Sequence, residues 1–435
     1  MHRPAADGDG RLAGRRSKRD RPQAYGNASR TPQPRLMLGA DTKTRTRLGV
    51  YVDDVYRIDA AGRVSADRAF LLFACEVGRR FERFVLFGRT VRSDTPADYF
   101  LPVGTEVVEL PHYSSLNRLG EVLRAAGGTV AGMWRGLSSV DVVWVFGPHP
   151  FAVVLVVLAA VRRKRIVLGV RMESVQYYRS RFPSRFWRPA ILPIVAIDRA
   201  YRLLARRYPA TVVGADLVDR YGGARTSLLQ MVVSLVRERE VPHEAPSRNW
   251  DGPIELLTVG RIEPEKNPLL LVEALARLER RSPGRFRLTW VGRGELEPAV
   301  RKRAESLGVA GRLRLIGYVP FGPELLEMYR SAHAFVHVSL TEGVPQVLVE
   351  ALATGTPVIA TDVGGVGELL AGGRAGVLLP PNDVDALVEA VHEITDEPEK
   401  RERMVAAGLE MARRRTLERE AERVAEFVRG ATSAG

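Results

Sequence analysis

The chain has 435 residues, 45% apolar and 27% charged, with a formal charge of +14, which is length enough for two globular domains with separate cores. A single cysteine, Cys75, excludes an internal disulfide framework and a cysteine-based metal site. The longest apolar run, residues 151–161, is eleven residues long, against the ~20 needed to span a bilayer.

Residues 1–47 carry Arg, Pro, Gly and Asp without an apolar segment, so they read as a disordered basic tail with no secretory signal, and the protein as cytoplasmic. Residues 48–52 then read as a buried strand. Polar residues 53–65 predict a loop, and 66–81 have helical periodicity. Strands at 85–87, 106–110, 140–146 and 166–170 alternate with helices at 117–134 and 151–161. Phe70, Leu71, Leu72, Phe73 and Ala74 around Cys75 make it a buried structural thiol. A long basic helical region at 184–208 precedes a strand at 211–213, a helix at 215–221 and a strand at 228–233. Pro242, Pro246 and Pro253 mark 238–253 as a linker after a first domain over 48–237.

The alternation restarts beyond the linker. Strands are expected at 254–259, 286–291, 313–316, 334–338 and 377–379, with helices at 268–281, 296–307, 324–331 and 384–394. This second domain covers 254–400, and two amphipathic charged helices occupy 401–435. Alternating elements imply parallel sheets covered on both faces. The expected fold class is α/β: two doubly wound Rossmann-like domains facing a cleft.

The stretch from Ser339 to Thr361 carries the chemistry. A buried strand ends in polar Ser339 and Thr341, Pro345 opens a helix that Gly355 stops, and Pro357-Val358-Ile359-Ala360 starts the next strand. The helix N-terminus points to whatever sits above the strand ends, where free N–H groups and the dipole attract anions. Glu342 before the helix and Glu350 within it can then accept hydrogen bonds from sugar hydroxyls on either side of a phosphate. On spacing alone, a surface helix with two ordinary glutamates fits as well. Gly260-Arg261 lies at a strand end, and Asn267-Pro268 is an N-cap with a first-turn proline, placing Lys266 at a helix entrance. Arg261 supplies a planar fork and Lys266 a point charge, a pair suited to a diphosphate.

Glu342-Gly343-Val344-Pro345, then Glu350 and the residues to Ala360, resemble the Glu-x7-Glu signature of the family-4 retaining glycosyltransferases. The preceding Gly260 to Asn267 is similar to that family's donor-phosphate motif. The resemblance is specific over roughly 254–380 and topological before that. It implies the GT-B fold, with the last helix crossing back to the first domain. It also implies that Glu342 contacts the donor sugar, with the backbone of Gly343, Val344, Pro345 and Gln346, and that Glu350 holds the ribose. Arg261 and Lys266 would neutralise the diphosphate without a metal or other cofactor. Gly292 and Gly294, in a strand-end turn, would lie against the nucleotide, and the backbone of Tyr318 and Val319 beside the base; Tyr318 fits plain packing equally. Asp53-Asp54 and Asp383-x-Asp385 read as loop and cap residues rather than a metal clamp.

The acceptor half is less legible. In place of the family's glycine-rich loop after the first strand stands Ala60-Ala61-Gly62-Arg63, and Arg171 stands where a histidine is expected near the end of a strand. His149, between Pro148 and Pro150, is the available candidate to assist acceptor deprotonation, although a lone histidine there also fits a structural role. Residues 1–47 carry a surplus of eight positive charges and residues 162–207 a surplus of eleven, leaving the remainder negative. The second stretch interleaves Tyr177, Tyr178, Phe182, Phe186, Trp187 and Tyr201 with arginines, which suits an anionic leaflet, an acidic glycan or simply solvent. These features point to a retaining transferase moving a sugar from a nucleotide sugar to a glycan or lipid-linked acceptor, with peripheral contact to a membrane. The alternatives are a nucleotide-sugar epimerase of similar shape, or a basic nucleic-acid binder, for which no specific motif exists.

Overall fold

The structure, a computed structural model, describes residues 44–171, 188–222 and 227–430. Most of the expected tail lies outside them, as do Tyr177, Tyr178, Phe182, Phe186, Trp187, Arg181 and Arg185 of the basic stretch. Within the described residues a first sheet has nine strands: β1 (Thr44–Ile58), β2 (Val64–Ala66), β3 (Phe81–Arg92), β4 (Tyr99–Phe100), β5 (Glu106–Leu110), β6 (Val142–Gly147), β7 (Arg165–Val170), β8 (Ala210–Val212) and β9 (Leu228–Gln230). The main path runs β4-β2-β1-β6-β7-β8-β9, with β3 on β1 and β5 on β3. Helices α1 (Phe70–Gly78), α2 (Leu119–Gly136), α3 (Pro150–Val161), α4 (Arg188–Ala205) and α5 (Ala215–Tyr221) join them. The unbroken apolar run of β6 is what a central strand covered on both faces needs, and Val142, Val143, Trp144 and Val145 are all buried.

The first lobe departs from the sequence reading in one region. β1 does not stop before Asp53; it continues through a register shift between Tyr51 and Val55. Asp53 and Asp54 are therefore strand residues, not loop residues. Partners far along the chain keep them there: Tyr113 Oη donates to Asp53 Oδ1 at 2.8 Å, and Arg89 Nη2 to Asp53 Oδ2 at 3.2 Å. Val64 to Ala66 are drawn into antiparallel pairing with β1 and β4, so α1 starts at Phe70 and not at 66. This sheet is consequently parallel at its centre but antiparallel at one edge. Gly62 belongs to the turn of the β1–β2 hairpin, where Asp59 Oδ1 accepts from the N–H groups of Ala61 and Arg63.

The second sheet is wholly parallel, in the order β12-β11-β10-β13-β14-β15. Its strands are β10 (Ile254–Val259), β11 (Phe286–Val291), β12 (Leu313–Gly317), β13 (Ala334–His337), β14 (Val358–Thr361) and β15 (Val377–Leu379). Helices α6 (Pro268–Arg281), α7 (Glu297–Ser306), α8 (Pro323–Ser331), α9 (Gln346–Ala353), α10 (Val366–Leu369), α11 (Val384–Asp396) and α12 (Pro398–Arg414) cover it. Asp383 caps α11, accepting from Ala386 N at 2.8 Å. Asn267 stands at the N-cap of α6 but makes no capping bond; it is left-handed, and its Nδ2 donates to Asn382 Oδ1 at 2.9 Å. Pro345 is the N-cap of α9 rather than its first helical residue.

Two crossings tie the lobes. Along 231–236 alternate residues enter opposite cores: Met231 and Leu235 the first lobe's, Val232 and Val236 the second's. After α12 the chain returns as α13 (Leu417–Gly430), burying Leu417, Ala421, Val424 and Val428 in the first core against α1. Leu417 N donates to Val236 O at 2.7 Å, pinning one crossing to the other. Among the described residues no helix is long and apolar enough to cross a membrane.

Candidate active site

The carboxyl ends of β10, β11 and β13 present the donor-side residues together, as an open parallel sheet does. Beyond β13 the chain turns out through Ser339, whose carbonyl accepts from Thr361 Oγ1 at 2.6 Å, and Leu340, whose N–H donates to Glu265 O at 2.8 Å. That loop delivers Glu342 to Lys266 Nζ, which ion-pairs with its Oε1, and to His337 Nε2, 2.9 Å from the same oxygen. Burial works to raise the Glu342 carboxyl, but the His337 hydrogen bond and the Lys266 charge outweigh it and hold the group well below the usual carboxylate range. Burial lowers the His337 pKa, and a neutral ring facing a carboxylate must carry its proton on Nε2. His337 was not singled out from sequence. Its signal was a titratable residue interrupting the apolar run of β13, Ala334 to Val338.

Arg261 is about half exposed and pairs with Glu265 at 2.6 Å. Gly260 and Gly292 are the turn residues after β10 and β11. Gly292 has φ +145°, and a Cβ there would stand 1.9 Å from Gly260 O, so only glycine lets the two turns stack. Gly294 packs against the backbone of Ile262 in the same stack.

Glu350, on α9, is 3% exposed and fully engaged by its own chain. Tyr329 Oη donates to Oε2 at 2.9 Å and Gln346 Nε2 to Oε1 at 3.0 Å. Burial pushes its carboxyl up to about 7 against those two hydrogen bonds. The Gln346 side chain is thus engaged by Glu350, while the expectation for the donor sugar concerns its backbone.

The first lobe closes on this group from the other side. Tyr99 Oη, from β4, lies 3.0 Å from Tyr318 Oη and accepts from Phe321 N at 2.9 Å. Val319, beside Tyr318, packs partly buried against the second core, and Val344 against both. Gly214 faces Gly343 so closely that a Cβ on it would come within 2.9 Å of the Gly343 Cα.

His149 stands at the N-cap of α3 without a side-chain capping bond, its side chain only 12% exposed. Its Nδ1 is 3.2 Å from Tyr51 Oη, and its Nε2 is 3.3 Å from Asp53 Oδ2. Burial lowers its pKa against the Asp53 charge, and both ring nitrogens face first-lobe groups, Tyr51 and Asp53. Arg171, one residue past β7, stacks on Phe70 with its guanidinium carbon 4.0 Å from the ring centre. The structure therefore gathers Lys266, Glu342, Glu350 and the glycine turns at one end of the second sheet, and keeps His149 and Arg171 at the end of the first.

Residues 242–411 match the family model for glycosyl transferases group 1. That segment holds every donor-side residue named above. A glycogen synthase of Mycobacterium tuberculosis is 37% identical over 163 residues, a match spanning 38% of this chain and 39% of the relative. Sucrose-phosphate synthase from Thermosynechococcus elongatus superposes with a TM-score of 0.66 at 16% identity, covering 90% of this chain and 100% of that one. Anabaena HepE in complex with UDP-glucose gives 0.64 at 15% identity, covering 89% and 100%. At such identities the likeness establishes the fold, the two-lobed GT-B arrangement, over nearly the whole chain.

Proposed function

We propose that the chain is a retaining glycosyltransferase of the family-4 type, moving a sugar from a nucleoside-diphosphate sugar to a glycan or lipid-linked acceptor in the synthesis of cell-surface polysaccharide or glycolipid. The observation that carries this reading is the meeting of Lys266, Glu342 and His337 at the ends of β10 and β13, beside the N-terminus of a helix that holds Glu350. An ionised Glu342 accepts hydrogen bonds from the donor sugar's hydroxyls, and Glu350 those of the ribose. The departing diphosphate gains negative charge, which Lys266, Arg261 and the free N–H groups of α9 stabilise where it develops. In this reading no metal is invoked. Because Lys266 is already paired with Glu342, the arriving phosphate shares that cation instead of meeting it free. The name of the glycogen synthase relative and the UDP-glucose complex of HepE favour a hexose nucleotide as donor.

A thermal-shift panel of nucleotides and nucleotide sugars tests the reading. UDP- or GDP-linked sugars should raise the melting temperature, whereas random DNA should not; stabilisation by DNA alone, with no response to any nucleotide, overturns it. NMR of the first-formed product then reports the anomeric configuration, and inversion would remove the retaining assignment.

The lipid side of the proposal rests on the outer face of α2, α3 and α4, which pack side by side. Leu119, Leu123, Val157, Val161, Leu192 and Leu203 are exposed there, beside Arg162, Arg163, Arg206 and Arg207. Exposed apolar residues with arginines at the helix C-termini fit an anionic leaflet, each cation near the surface contributing ~1 kcal/mol.

A further inference from the structure

The second half of β1, the β2–α1 connection and the end of β7 hold charges that the donor reading leaves unused. Val213 N donates to Val170 O at 3.0 Å, so Arg171 stands beside the end of β8. There Val213 O lies 3.0 Å from the place a Cβ on Gly343 would take, and Gly343 directly follows Glu342. Arg171 is thus about one strand spacing, ~4.8 Å, from the lobe contact that carries the donor loop.

Its stack on Phe70 covers one face of the guanidinium plane. Among the described residues, Arg171 has no ion-pair partner and donates no side-chain hydrogen bond. Burial takes its pKa down to about 10, helped by the Arg68 charge and opposed only by Asp54. Asp54 is otherwise engaged: it accepts from Val55 N at 2.9 Å and sits 3.5 Å from Arg68 Nε. Burial also pushes its carboxyl up, toward the neutral form. Asp53, next along the strand, is held by Arg89 and Tyr113. Two guanidiniums therefore share one weakened carboxylate. Among the described residues that carboxylate is the counter-charge both depend on; a desolvated cation so weakly compensated is costly, and an arriving anion would relieve that cost.

We infer that Arg171 and Arg68 form a receiving site for an oxyanion, a phosphate or a carboxylate, carried by the acceptor. The planar fork of Arg171 suits two parallel hydrogen bonds to such a group. With its anionic end held at β7, the acceptor's hydroxyl end would reach toward Glu342 across the Gly214–Gly343 contact. The inference rests on the transferase reading and gives it a substrate class.

The test uses the full chain saturated with UDP, so that the donor phosphate site is filled, and titrates inorganic phosphate by calorimetry. Arg171→Met and Arg68→Met should each weaken phosphate binding by about tenfold, the size expected for a lost charge-assisted hydrogen bond. Arg171→Lys should weaken it less, and Arg374→Met, at an exposed site far along the chain, should not change it. Vesicles of phosphatidylglycerol against phosphatidylcholine separate the sources. Loss of phosphate binding alone in Arg171→Met assigns a soluble acceptor; loss of both phosphate and anionic-vesicle binding assigns a lipid-borne one. Arg171→Met should also melt at or above the wild-type temperature without ligand, because it removes a desolvated charge that Asp54 compensates only weakly. Phosphate affinity unchanged in Arg171→Met, or a marked loss of unliganded stability, overturns the inference. Failure of UDP itself to bind would instead refute the donor reading, and the two failures are read separately.

Discussion

Glu350→Gln is the substitution whose outcome the structure constrains most. The side chain is 3% exposed, its two oxygens accept from Tyr329 and Gln346, and burial moves its carboxyl from 4.5 to about 7. That displacement corresponds to about 3 kcal/mol of preference for the neutral form in the folded state. Because the folded pKa is the higher one, the stabilising effect is fully present below the unfolded value and is lost as pH rises through about 7. Glutamine keeps the shape, can still accept from Tyr329, and carries no charge. Wild type and variant should therefore unfold alike in urea near pH 4.5. By about pH 8 the variant should be the more stable by up to about 3 kcal/mol. UDP affinity should move the other way, falling about tenfold, because a ribose hydroxyl bonds a carboxylate more strongly than an amide. Superimposable pH–stability profiles would refute the claim that a desolvated carboxyl sits at this position. A profile that diverges as expected with UDP affinity intact would remove Glu350 from the ribose.

Four further outcomes follow from particular residues. Lys266→Ala and Glu342→Ala should each depress turnover strongly while the fold survives; near-normal rates in either would remove them from the reaction. Lys266→Met leaves Glu342 as a buried charge supported only by His337, so it should destabilise more than the Lys266→Met/Glu342→Gln double variant, a coupling that a double-mutant cycle measures directly. Tyr99→Phe deletes the Tyr318 and Phe321 bonds across the lobes, so UDP should dissociate faster in stopped flow; an unchanged off-rate would rule out Tyr99 as a restraint on opening. Leu123→Asp with Val161→Asp should reduce sedimentation with phosphatidylglycerol vesicles while leaving UDP affinity untouched, and undiminished sedimentation would reject the α2–α4 face as the contact.

The second lobe was legible because its signals are local. Strand-end glycines, Asn267-Pro268 and the two glutamates eight positions apart each fall within a single βα unit, where periodicity and punctuation act over a few residues, although the roles of the glutamates came from the family resemblance and not from their spacing. The first lobe hid its departures because they depend on distant partners. Asp53 and Asp54 look like a loop to any local rule. They remain in a strand because Arg89 and Tyr113 hold Asp53 while Arg68 meets Asp54, and Val64 to Ala66 forgo helix because β4 offers antiparallel pairing. Boundaries set by cross-sheet pairing cannot be seen in a window of sequence.

The same distinction bears on chemistry. Lys266 and Glu342 were assigned separate tasks, phosphate and sugar, and nothing at 76 positions' separation predicts that they pair. Their pairing changes the expected order of events. An unpaired lysine would collect phosphate on its own charge, whereas this one must divide its attraction between Glu342 and the incoming diphosphate. His337 then matters most at that moment, because it continues to support the Glu342 charge as Lys266 turns to the phosphate. His337→Phe should therefore cost little while Lys266 stays with Glu342, and most when UDP is bound. The decisive comparison is the loss of UDP affinity against the loss of unliganded stability. A variant that loses stability without losing UDP affinity would place His337 in the core alone.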